Sequence, residues 1–215
     1  METALRIVYL QDTLCGWCYG FSPQVQQLQQ HYSGVVPIDV VAGGMIRGSR
    51  VGTIADVAPY IKTAYRRVEE TTGVRFGEPF LENLHAEASL VLDSVVPARA
   101  IVTAKRIAQE HVLNISHDLQ AAIYRDGLDI TQEKTYRFVV NRYGINTDIF
   151  LQEMFSDEVT AGVEEEFALT EALGVTGFPT VIALAGYEGW MVAQGFDTAE
   201  NMIPRIDAVL RETGA

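Results

Sequence analysis

QDTLCGWCYGF, residues 11–21, holds both cysteines of a 215-residue chain, with only Gly16 and Trp17 between Cys15 and Cys18. The residues leading into it, LRIVYLQD (5–12), form a short and nearly continuous apolar run rich in branched side chains. Such a run is expected of a strand buried on both faces of a parallel sheet. Beyond the cysteines the period changes: Phe21, Val25, Leu28 and Tyr32 recur three or four residues apart. That spacing predicts a helix whose first turn tolerates Pro23. The cysteines therefore sit where a strand hands over to a helix.

Working outward, VVPIDVVAGGM (35–45) reads as a second strand that stops at a glycine pair, completing a β-α-β opening suited to a parallel crossover. From 52 to 173 the texture is helical, in runs separated by Gly, Pro, Asn or Asp. TVIALAG (180–186) and GWMVAQGF (189–196) then predict an antiparallel hairpin around Gly186 to Gly189. The chain closes on a helix with Thr198 as N-cap, Glu200 in its first turn and Pro204 as a potential kink. The order β-α-β, helices, β-β-α is that of an α/β thioredoxin fold. Residues 1–51 and 174–215 would form the thioredoxin-fold domain, and 52–173 a large inserted helical domain.

At 48% hydrophobic and 20% charged residues the chain is long enough to bury a real core, so it needs no disulfide to fold. Acidic residues outnumber basic ones 28 to 16, a formal charge of -12 that disfavours nucleic acid and anionic membranes as partners. The basic clusters, Lys62 with Arg66 and Arg67 and Lys105 with Arg106, and the acidic run Glu164 to Glu166 all read as solvated helix faces. METALRIVYLQD lacks the pattern of a secretory leader, and no run is long enough to span a bilayer. The expectation is a cytoplasmic protein, where a close cysteine pair is catalytic or metal-binding more often than structural.

At a helix N-terminus, unpaired amides and the macrodipole favour a thiolate. Each unit by which the Cys15 pKa fell below about 8.5 would favour its thiolate by roughly 1.4 kcal/mol. Cys15 is then the attacking sulfur. Cys18, about one helical turn on, is placed to attack a mixed disulfide at Cys15 and release the substrate. Trp17 is either an apolar surface on which a substrate peptide lies or a half-buried packing residue. Zinc would need four ligands, and His31, His85, His111 and His117 lie in different helical segments without a compact ligand pattern. Asp12 is either an acid working near the buried thiol or a turn residue. In GVTGFPTVI (174–182), Pro179 immediately precedes a strand, which marks an ordinary loop or a cis bond, and the upstream cysteine junction tips the reading to cis.

DTLCGWCYGF and GVTGFPTVI, some 160 residues apart around a long helical insert, together resemble the DsbA-like thioredoxin superfamily, and within it the FrnE-type cytoplasmic branch. The resemblance implies a thiol-disulfide oxidoreductase, with isomerase-like activity included, in which Cys15 is an exposed nucleophile and Cys18 the resolving thiol. It implies that Pro179 is a cis-proline facing the pair, that the Phe178 backbone meets the substrate peptide, and that metal is kept off the thiolates. No cofactor is implied beyond the redox-active Cys15–Cys18 disulfide, with glutathione a candidate electron partner. Partners would be protein thiol or disulfide substrates, with a thioredoxin or glutathione system behind them and a monomeric or homodimeric enzyme. Two features depart from relatives: Thr13 stands where proline is common, and Gly16-Trp17 replaces the Pro-His of periplasmic oxidases, which leaves the direction of exchange open. Two other functions compete. A glutathione-dependent transferase or isomerase of kappa type shares the architecture but characteristically carries serine at the nucleophile position. A non-catalytic adaptor would use Trp17, Tyr19 and Phe178 as an apolar docking patch.

Overall fold

The computed structural model describes residues 5–86 and 89–214. Residues 1–4 and Ala215, the outer ends of the two expected thioredoxin-fold segments, lie outside the described residues, as do positions 87 and 88 of the expected insert. In chain order the elements are β1 (Arg6–Gln11), α1 (Gly16–His31), β2 (Ile38–Ala42), β3 (Gly52–Thr53), α2 (Ile54–Thr72), α3 (Glu78–His85), β4 (Val91–Leu92) and α4 (Val95–Ile107). They continue with α5 (Val112–Tyr124), α6 (Glu133–Val140), α7 (Thr147–Glu153), α8 (Asp157–Ala172), β5 (Thr180–Ala185), β6 (Glu188–Gln194) and α9 (Ala199–Thr213).

The main sheet runs β2-β1-β5-β6. β2 is parallel to β1, Ile7 opposite Ile38 and Gln11 opposite Ala42, while β5 pairs antiparallel with the other edge of β1. β1 is buried on both faces, as its apolar run predicts: Ile7 and Tyr9 point into the main core, Val8 and Leu10 into a second cluster with Val41 and Ile182. On the main-core side α1 contributes Phe21, Val25 and Leu28, and α9 contributes Met202, Ile206 and Val209. The β5–β6 hairpin turns at Gly186, whose φ of 61° suits a tight turn, and carries a bulge at Val181/Ile182. Thr198 caps α9 by accepting from the Asn201 amide, and the helix runs on through Pro204.

Three expectations change. α1 starts at Gly16, so Pro23 lies inside the helix rather than in its first turn. The helical period visible from Phe21 onward extends back through the cysteine motif, whose glycine and tryptophan mask it. The 52–173 segment is not wholly helical: Gly52–Thr53 pairs antiparallel with Val91–Leu92, a ladder too short to leave an alternating pattern. Glu166 is not on a solvated face. It ion-pairs with Lys105 and accepts from the Ala42 amide at 2.6 Å, tying α8 and α4 to the end of β2 beside Val102, Val163 and Phe167. No helix among the described residues is long and apolar enough to cross a membrane.

Phe21 is fully buried, its ring 5.8 Å from Tyr9 and 6.2 Å from Phe196, and so joins α1 to β1 and to the loop before α9. Truncating it opens a cavity in a close-packed core. Phe21→Ala is expected to lower stability by about 3–5 kcal/mol, seen as a lower urea midpoint with an unchanged denaturant slope.

Candidate active site at the strand-to-helix junction

β1 ends at Gln11, and the chain turns at once. Asp12 is 2% exposed. Its main-chain carbonyl accepts from the Cys15 amide at 3.0 Å and its Oδ1 from the Leu14 amide at 2.9 Å. The same carboxylate reaches further: Oδ1 accepts from the Ser94 hydroxyl at 3.0 Å and Oδ2 from the Met45 amide at 2.7 Å. Asp12 is thus a turn residue and also a tether to the loop after β2 and to the start of α4. Burial raises its pKa, against the opposing effect of the amides and the Ser94 hydroxyl.

Cys15 is the N-cap of α1, with extended backbone (φ -95°, ψ 111°), and its carbonyl accepts from the amides of Cys18 and Tyr19. Both cysteines are free thiols. Cys18 faces the interior with no exposure, and Cys15 is 6% exposed. Cys15, which the family resemblance implies to be openly exposed, is therefore recessed here. The Cys15 Sγ donates to the Phe178 carbonyl at 3.5 Å, and the Phe178–Pro179 bond is cis. The structure thus brings together Cys15, Cys18, Phe178 and Pro179 across 163 positions of sequence. The Phe178 ring lies against Gly43, where a Cβ would stand 2.1 Å from it, so only glycine admits the ring there. Burial pushes the Cys18 thiol up, and the adjacent Cys15 sulfur adds to that.

Beside Cys15 opens a cleft of about 210 Å³, walled by Trp17, Met45, Ile46, Ile61, Tyr65 and Phe76 among others. Among the described residues, none in its walls is an acid, a lysine, an arginine or a histidine. Trp17 is half-buried and lines this cleft, so it packs and presents an apolar surface at once. One side of the cleft comes from the thioredoxin-fold segment, the other largely from α2. Below it, Tyr19 stacks on Tyr124 with ring centres 5.3 Å apart and meets Phe76 edge-on at 5.5 Å.

Residues 6–203 match the model of the DSBA-like thioredoxin domain. The chain belongs to that family. A solved structure from Nitrosomonas europaea, described as a candidate protein disulfide isomerase, superposes with a TM-score of 0.84 at 23% identity, covering 97% of this chain and 98% of that one. The cytosolic disulfide reductase DsbM of Pseudomonas aeruginosa superposes with a TM-score of 0.79 at 23% identity, covering 96% and 99%, and has also been solved with glutathione. The ClpXP adapter protein SpxH of Halalkalibacterium halodurans is 22% identical over an alignment of 185 positions that covers 83% of this chain and 58% of that protein. The chain therefore spans less than two thirds of that relative's length.

Within this DSBA-like frame, two sets of contacts escape a reading of the sequence. Ser22 Oγ meets His117 Nδ1 at 2.5 Å, joining α1 to α5, and burial lowers the His117 pKa. Tyr9 and Gln11 on β1 meet Gln120 of α5 in the interior behind Cys18. The available signal was the tyrosine and glutamine inside an otherwise apolar strand.

The raised pKa of Asp12 has a defined sign in stability. The folded state holds the Asp12 proton above the unfolded value of about 4, so folded chains bind more protons than unfolded ones in the window from there up to the raised value. Stability is expected to fall as pH rises through that window. Urea midpoints taken across it should show the fall in the wild-type chain and its loss in Asp12→Asn.

Proposed function

We propose that the chain is a thiol-disulfide oxidoreductase acting on protein substrates. The observation that carries this reading is the Cys15 sulfur at the N-cap of α1, in contact with the Phe178 carbonyl beside Pro179, with Cys18 directly behind it and an apolar cleft in front. In this reading Cys15 attacks one sulfur of a client disulfide and the other client sulfur leaves. Cys18 then attacks the Cys15 sulfur, the Cys15–Cys18 bond forms, and the second client sulfur leaves as a thiol. The reverse sequence oxidises a client dithiol. Phe178 and Pro179 offer the client backbone an edge, and Trp17 its apolar surface. The likeness to a cytosolic reductase supports a cytoplasmic place of work and the reductive direction, with a glutathione or thioredoxin system restoring the thiols.

The cleft favours a protein client over a small charged thiol as its occupant. Glutathione carries two carboxylates, and among the described residues no cation lines these walls. A leucine or phenylalanine next to the client cysteine would gain about 1.5–3 kcal/mol by full burial there. The adaptor reading has one observation in its favour, the likeness to SpxH. An adaptor would hold its partner with both cysteines replaced by serine, whereas an oxidoreductase would lose covalent capture.

The redox equilibrium of Cys15 and Cys18 in glutathione buffers, read by thiol-alkylation mass shift, tests the reading. A reversible two-electron transition is expected, absent in Cys15→Ser and in Cys18→Ser, the latter accumulating mixed disulfide. Its midpoint gives the direction, at about 30 mV per factor of ten. A pair that formed no disulfide at any buffer ratio would remove exchange as the function.

A charge in the cleft wall separates client choice from thiol chemistry. Ala64→Glu is expected to slow exchange with clients bearing an apolar neighbour to their cysteine by about tenfold, since a carboxylate must be desolvated as the client seats. Alkylation of Cys15 by a small reagent should keep its rate.

A further inference from the structure

Behind Cys18 lies a polar group of side chains that the exchange reading does not use. Tyr9 is 1% exposed, and Gln11 and Gln120 are fully buried. Gln120 Nε2 donates to Gln11 Oε1 at 2.9 Å. The remaining atoms, Tyr9 Oη, Gln11 Nε2 and Gln120 Oε1, have no hydrogen-bond partner among the described residues. The Tyr9 hydroxyl faces both the Cys18 sulfur and the Gln120 amide without closing a hydrogen bond to either. The Tyr9 ring is packed, 5.8 Å from Phe21, which sits one turn beyond Cys18 on the same helix.

A buried hydroxyl without a partner weakens a fold, and phenylalanine would fill the same space without that penalty. The hydroxyl gains a purpose if its partner arises during reaction. We propose that Tyr9 donates a hydrogen bond to the Cys18 sulfur as that sulfur gives up its proton, with the Gln120 amide steadying the phenol oxygen, and so promotes the attack on Cys15. The proposal rests on the exchange reading above and adds a residue to it.

The balance is as follows. A client is joined to Cys15 by an S–S bond, and the deprotonated Cys18 sulfur attacks the Cys15 Sγ. The Cys15–Cys18 bond forms, the Cys15–client bond breaks, and the client sulfur leaves with the electron pair. It takes up one proton, matching the one that Cys18 lost, while Tyr9 keeps its own. Burial, followed by the nearby Cys18 and Cys15, holds the Tyr9 pKa well above that of a free phenol, so Tyr9 serves as a donor and not as a base. The other titratable groups facing Cys18 are Cys15 and Asp12, with Tyr124 facing it from α5. A charge on Asp12 opposes a thiolate at Cys18, whereas its backbone amide favours one. A hydrogen bond that strengthens only as charge develops speeds a step instead of tightening the resting state.

Tyr9→Phe tests this. In a Cys15→Ser background the Cys18 titration, followed by thiolate absorbance, should move to higher pH. In rapid mixing of the otherwise wild-type chain with a fluorescent peptide disulfide, release of the second peptide thiol should slow about tenfold, equivalent to about 1.4 kcal/mol. Formation of the mixed disulfide, measured in a Cys18→Ser background, should keep its rate, and the urea midpoint of Tyr9→Phe should not fall. Gln120→Leu, which removes the amide placed beside the phenol oxygen, should slow the same release step by a smaller factor. An unchanged titration with an unchanged release rate would overturn the proposal. So would a lowered urea midpoint accompanied by equal slowing of both steps, which would make Tyr9 a packing residue. A wild-type chain that formed no mixed disulfide would overturn the exchange reading itself, an outcome separate from a Tyr9→Phe chain that exchanges at the wild-type rate.

Discussion

The carboxylate of Asp12 gathers three parts of the chain at one point: the turn into the cysteine motif through Leu14, the loop after β2 through Met45, and the start of α4 through Ser94. The arrangement around Cys15 depends on this knot. Without the Leu14 contact the turn has only its backbone bond to define it, and without Met45 and Ser94 the carboxylate no longer ties the motif to the loop after β2 and to α4. A carboxylate suits the place because it accepts several hydrogen bonds at once and donates none, as three converging donors require. Its desolvation is the opposing term, which is why the amides and the hydroxyl must all be present.

Much of this was legible from residue pattern. The change from a continuous apolar run to a three-and-four spacing around Cys15 located the strand-to-helix junction, because burial on both faces of β1 and on one face of α1 imposes different periods. Pro179 ahead of β5 was legible as a partner of the motif only through resemblance, since nothing local connects positions 15 and 179. What escaped was set by distant partners. Cys15 is recessed, its sulfur against the Phe178 carbonyl and residues of α2 in the wall of the cleft beside it. Glu166 looked like one of three solvated acids, yet its rotation about α8 directs it at Lys105 and the Ala42 amide. Asp12 offered a turn role and a second role near the thiol, and the structure shows a turn joined to a tether, because Met45 and Ser94 are far away in sequence. Tyr9 was hidden inside an apolar run in which only its ring counted.

The two sulfurs occupy different surroundings three residues apart. Cys15 has the helix N-terminus, the Phe178 carbonyl and the cleft; Cys18 has the interior, where burial favours its neutral form. In the proposed exchange this divides the labour in time. The outer sulfur meets the client, and the inner one stays protonated until a mixed disulfide draws it forward. The same contrast predisposes reagents from solvent to reach Cys15 before Cys18.

The seating of the Phe178 ring on Gly43 makes the two sides of the cleft mechanically unequal. On the sheet side, the loop before Pro179 and the loop after β2 are locked ring to backbone, and a Cβ there would force them apart. The opposite side is formed by residues of α2 such as Ile61 and Tyr65, held by side-chain packing. One jaw is thus a fixed anvil and the other an adjustable one. Substitutions along α2 can reshape what the cleft admits while the sulfurs keep their positions, so recognition and reactivity are free to diverge separately among chains of this architecture.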